Sequence, residues 1–118
     1  MISNNSTADD NNDSIILDYL TKSCDYGFTD SCNRAINYYE GVNQTEEIAQ
    51  KILNLRKSAC SFNDVDACNY LGSMYLESSD KSQKEEGLKL IKKGCDSDNL
   101  VSCLILGKFY LTDNLKVV

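Results

Sequence analysis

Histidine, proline and tryptophan are absent from this chain of 118 residues. The lack of His removes the commonest general base near neutral pH and the commonest transition-metal ligand, so most enzyme readings lose their usual residue at the outset. Positive charge is scarce as well, with 12 Lys and Arg against 18 Asp and Glu and a formal net charge of −6. An acidic surface repels phosphate backbones, which argues against a nucleic-acid partner. No apolar run approaches the roughly 18 to 20 residues that cross a bilayer, so no membrane span is expected. The N-terminus lacks the basic-then-apolar order of a signal peptide. Its opening stretch, MISNNSTADDNN, holds almost nothing to bury, and residues 1–13 are expected to form a disordered leader.

What the chain does have is six Cys, with 42% hydrophobic and 25% charged residues, a composition that suits one domain over 14–118. The Cys fall into three C-x7-C pairs, Cys24 with Cys32, Cys60 with Cys68, and Cys95 with Cys103, which recur after 36 and then 35 residues. A fixed period that carries several matched residue types marks a stacked repeat. Three positions past the second Cys stand Ala35, Leu71 and Leu106, four past stand Ile36, Gly72 and Gly107, and seven past stand Tyr39, Tyr75 and Tyr110. These offsets share one face of a helix. The tyrosines are expected in the core, and Gly72 and Gly107 at close helix approaches. Upstream of the first Cys, Ile16, Leu17, Tyr19 and Leu20, then Ile52, Leu53 and Leu55, then Leu88, Leu90 and Ile91 place a second apolar face on a preceding helix. Gly27, Asn63 and Asp98 stand where a left-handed helix end is expected. Asp64 and Asn99 follow as candidate N-caps. Helices are expected at about 14–24, 30–40, 46–60, 65–77, 83–95 and 100–112, with no strand, which makes the fold class all-α.

A C-x7-C pair across a helical hairpin sets the last turn of one helix beside the first turn of the next, where two Cα atoms fall within disulfide range. Of the connectivities that six Cys allow, the repeat favours the local ones, each stabilising its hairpin by roughly 2.6 kcal/mol on the chain-entropy account. The C-x2–4-C spacing of zinc knuckles and the C-x-x-C of redox catalysts are both missing, so neither a metal nor another cofactor is expected. Persistent disulfides imply an oxidising compartment, and the expected location is the periplasm or the cell exterior.

The runs CNYLGSMYLES (68–78) and CLILGKFYLTD (103–113) share C-x-x-L-G-x-x-Y. They resemble helix A of the Sel-1-like repeat, a relative of the tetratricopeptide repeat, and the paired Cys narrow the resemblance to the cysteine-rich secreted proteins of the Helicobacter type. It covers about residues 14–112. The resemblance implies a right-handed α-solenoid, an α/α superhelix of about three disulfide-linked helical hairpins, that offers a concave A-helix surface to proteins or peptides. The first copy departs from the pattern, with Ile36 in place of Gly and Phe28 in place of a polar cap. The family is also associated with binding and weak hydrolysis of β-lactams. Ser78 and Lys81 form an S-x-x-K string and Ser97-Asp98-Asn99 spells S-D-N, yet K-T-G is missing and both strings fall between expected helices. Loop and capping roles are expected for them. A third reading is a cysteine-rich assembly factor of the mitochondrial intermembrane space.

Positions one, two and five past the second Cys of each pair are expected to face the groove of such an array. From these, Arg34, Asn37, Asn69, Tyr70, Ser73 and Lys108 are the candidate ligand-binding residues, a mixture of amide, aromatic and cationic groups suited to a peptide. The last helix carries Leu104, Ile105, Leu106, Phe109, Leu111 and Leu115 around much of its surface, with no later segment to cover them. Another copy of the chain, a partner or a further C-terminal repeat is expected there. The expected function is a non-enzymatic repeat scaffold that binds a protein or peptide, with a β-lactam-binding or weakly hydrolysing protein as the alternative.

Overall fold

The structure is a computed structural model that describes the backbone of residues 2–117 and the side chains of residues 12–113. Six helices follow in order: α1 (Ile2–Asp25), α2 (Thr29–Glu40), α3 (Glu46–Ser61), α4 (Val65–Leu76), α5 (Lys81–Asp96) and α6 (Leu100–Val117). No strand occurs among the described residues, and no helix is long and apolar enough to cross a membrane. The odd-numbered helices end at the first Cys of a pair, and the even-numbered helices start around the second. Helix α1 begins at Ile2, but the side chains of residues 1–11, where most of the expected leader falls, lie outside the described residues. That of Leu115 does too.

Turn chemistry explains the helix boundaries. Gly27, Asn63 and Asp98 all have positive φ, at 103°, 70° and 68°. Phe28 N donates to Ser23 O at 3.1 Å and Asn99 N to Gly94 O at 3.0 Å, the bonds by which a left-handed residue closes the end of a helix. The next helix is then capped at its start. Asp64 Oδ1 accepts from Ala67 N at 3.2 Å, and Asn99 Oδ1 accepts from Ser102 N at 2.9 Å. Phe28 offers α2 no such bond. Thr45 and Asp80 cap α3 and α5 in the same way.

The disulfides staple these turns. Cys24 is bonded to Cys32 with Cα atoms 4.7 Å apart, and Cys95 to Cys103 at 4.6 Å. Cys60 and Cys68 are also disulfide-bonded, and no cysteine is free. This excludes zinc ligation by these thiolates, and bonds of this kind persist in oxidising surroundings.

Contacts group the residues into two compact units, Met1–Phe62 and Asn63–Val118, where the composition alone suggests one domain. In the first unit α2 packs on α1 and α3, and α1 also meets α3. Its core holds Cys24, Cys32, Ala35, Ile36, Leu55 and Ala59. In the second unit α5 packs on α4 and α6, and α4 meets α6, around Leu71, Leu76 and Ile91.

The two units solve the same packing problem with different residues. A Cβ added to Gly87 on α5 would lie 2.7 Å from the backbone oxygen of Gly72 on α4, so the two backbones approach as closely as paired glycines allow. The equivalent positions in the first unit are Ile52 and Ile36. Leu76 and Ile91 are both buried, whereas their equivalents are Glu40 and Arg56, joined by an ion pair at 3.0 Å. The Arg56 side chain is only 15% exposed.

Candidate functional site

The six candidate binding residues fall into three groups. Arg34 and Asn37 are exposed on α2 in the first unit. Arg34 Nε bonds Asp30 Oδ2 at 2.7 Å along the helix, and this hydrogen bond, reinforced by the carboxylate charge, raises the guanidinium above its ordinary pKa. Tyr70 is 52% exposed on α4.

Asn69 departs from the expectation. It is 6% exposed and belongs to a buried amide–hydroxyl cluster. Ser102 Oγ stands 2.7 Å from Asn69 Oδ1 and 3.0 Å from Asn99 Oδ1, while Asn69 Nδ2 donates to Asn99 Oδ1 at 3.3 Å. A hydroxyl has one proton to share between two acceptors, and Ser102 is fully buried. The Asn69 side chain therefore ties α4 to the start of α6. Ser102→Ala is expected to cost about 2 kcal/mol, because Asn69 Oδ1 would lose a buried donor. Urea unfolding with an unchanged m-value checks this, and a variant as stable as the wild type would contradict it.

Ser73 and Lys108 are brought together. They line an open cleft of about 470 Å³ in the second unit. Leu76 from α4 and Ile105 and Phe109 from α6 supply its apolar surface, and Glu77 and Lys84 stand at its polar margin. The side chains of Ser73, Glu77, Lys84 and Lys108 form no hydrogen bond or ion pair with another described residue. A cleft of about 480 Å³ in the first unit is different. There Lys51 pairs with Glu47 at 3.5 Å and lies 5.6 Å from the centre of the Tyr39 ring, and Asp25 accepts from Ser58 at 3.2 Å. Lys51 and Asp25 are thus engaged, while the side chains of Asp18 and Lys22 pair with no described residue. The α4–α6 cleft instead sets two cations, Lys84 and Lys108, and two carboxylates, Glu77 and Asp113, beside an apolar surface, with none of the four paired to a described residue.

Spacing alone did not single out Lys84, Glu77 and Phe109 for the cleft. Lys84 follows a loop of its own, so no offset from a Cys signals it. The tyrosines expected in the core are not fully buried: Tyr39 and Tyr75 are part-buried, and Tyr110 is 49% exposed because no described residue covers that side of α6. In the S-x-x-K and S-D-N strings, Ser78 Oγ accepts from Asp80 N at 3.0 Å, Asp98 forms the left-handed turn and Asn99 caps α6. These are loop and capping roles.

No family model, curated protein or solved structure matches this chain.

Proposed function

We propose that the protein is a non-enzymatic binding scaffold that holds a peptide segment in the α4–α6 cleft. The observation that carries this reading is the presence of Lys84 and Lys108, whose side chains pair with no described residue although Glu77 and Asp113 line the same cleft, beside an apolar surface of Leu76, Ile105 and Phe109. Such a cleft suits a segment that offers one carboxylate and one large apolar side chain. The wider setting belongs to the same proposal: a right-handed solenoid of Sel-1-like repeats, exported to the periplasm or the cell exterior. It is supported by the left-handed turn repeated at Gly27, Asn63 and Asp98 and by six oxidised cysteines.

A random-peptide display library screened against the oxidised protein is expected to enrich segments that combine an acidic and a large apolar residue. Lys108→Glu and Phe109→Ala should each weaken the selected peptide about tenfold, or about 1.4 kcal/mol, while Arg34→Ala leaves it unchanged. Binding that ignores both cleft substitutions would refute the assignment.

A further inference from the structure

The even-numbered helices carry an equivalent face, and the structure covers it on α4 but not on α6. On α4 that face is Val65, Gly72, Tyr75 and Leu76, and each of these meets α5. A Cβ on Gly72 would run into the Ile91 side chain. One on Gly87 would lie 3.0 Å from Tyr75 Cβ and 3.1 Å from Leu76 N, and one on Gly94 would lie 3.3 Å from Val65 Cγ2. The equivalents on α6 are Leu100, Gly107, Tyr110 and Leu111. Leu100 is 83% exposed and Leu111 62%, and a Cβ on Gly107 would meet nothing within 4 Å. Helix α6 thus presents an uncovered seat of the kind that α5 occupies on α4.

A complementary face is exposed on α1. Helix α5 enters its seat with Gly87 and Ile91, whose equivalents on α1 are Ile16 and Leu20, and Tyr19 stands beside them in the place of Leu90. Ile16 is 52% exposed and Tyr19 71%, whereas Gly87 and Ile91 are buried. We propose that copies of this chain associate head to tail, with α1 of one copy seated on α6 of the next in the register that α5 has on α4.

The facing residues match pair by pair. At one position the first unit sets Glu40 against Arg56, and the equivalent residues of the second, Leu76 and Ile91, are both buried, so polar matches polar and apolar matches apolar. The contact between copies sets Leu111 against Leu20. At another position Gly72 approaches Gly87, their equivalents in the first unit being Ile36 and Ile52, and the contact between copies sets the open Gly107 against Ile16, a bulky side chain over a vacant one. Charge agrees as well. Lys84 lines its cleft with Ser73 and Glu77, and on the new contact Asp13 takes the place of Lys84 while Lys108 takes that of Ser73. At 100° per residue, Leu100, Gly107 and Leu111 lie across α6 from Ile105, Phe109 and Thr112, so the apolar surface of the peptide cleft stays open when the seat is filled. Lys108 stands between the two faces and is the one cleft residue that the contact shares.

A contact between unlike faces does not close on itself in a pair, so assembly continues by addition at either end. Sedimentation velocity of the oxidised protein is expected to show a mean mass that rises steadily with concentration. Leu111→Glu, which spoils the seat, and the double change Ile16→Glu, Tyr19→Glu, which spoils the insert, should each give monomers alone. Mixing the two variants leaves one intact seat facing one intact insert, and should yield a species of two chains and nothing larger. The substituted residues are exposed, and an unchanged far-ultraviolet circular dichroism spectrum confirms folding. Leu100→Glu replaces Leu111→Glu if that spectrum changes. A wild type that stays monomeric, or an assembly that survives either variant alone, overturns the proposal.

Discussion

A Gly87→Val chain is expected to lose about 3 kcal/mol of stability in the second unit, because the new side chain has nowhere to go. The obstacles at Gly87 include the Gly72 carbonyl oxygen and the Leu76 amide nitrogen, at 2.7 Å and 3.1 Å from an added Cβ, and backbone cannot turn aside as a flexible side chain would. To admit valine, α5 must withdraw from α4 and uncover Ile91, which is fully buried. The companion change Gly107→Ala has the opposite sign. It sits in a helix with open space around the new Cβ, so it should gain about 1 kcal/mol through helix propensity. Thermal or urea unfolding at low protein concentration reads both. Two glycines that respond alike would mean that the α4–α5 approach is not as close as described.

The second large effect concerns the disulfides. Replacing Cys95 and Cys103 together by alanine should lower stability by roughly 2.6 kcal/mol, since the bridge closes a short loop in the unfolded chain and that constraint disappears. For a unit of this size the melting temperature would fall by roughly 10 to 20 °C. The Cys24–Cys32 pair should cost more, because both residues are fully buried and their removal also leaves space in the core of the first unit. The control is a reducing agent. Once the wild type is reduced, most of the difference from the Cys95→Ala, Cys103→Ala chain should vanish. A difference that persists would place the effect in packing and not in the bridge.

Much of the helical layout was legible because it rests on local chemistry. The left-handed turns at Gly27, Asn63 and Asp98 and the caps at Asp64 and Asn99 need only near neighbours, and the period of the Cys located them. Tertiary placement was less legible. Asn69 and Leu104 hold the same repeat position, yet one is buried and the other is 57% exposed, because only Asn69 has Ser102 and Asn99 within reach. Gly72 and Gly107 read alike in the sequence, and only the presence or absence of a helix above them separates their roles. The cleft was half visible: Ser73 and Lys108 follow the offsets, but Lys84 enters from α5 through packing that no offset records.

The Glu40–Arg56 pair bears on how the chain avoids folding wrongly. Its helices are built to one pattern, so during folding α5 meets more than one seat of roughly suitable shape, and so does α3. An Arg that has lost its carboxylate is costly to enclose among leucines, and Glu40 opposite Ile91 would be no better. An exchange of α3 and α5 between α2 and α4 strands a charge against an apolar face, so the ion pair acts as a proofreading mark against that exchange. It lets similar repeats share one chain without exchanging partners, at the expense of one fully apolar contact in the first unit.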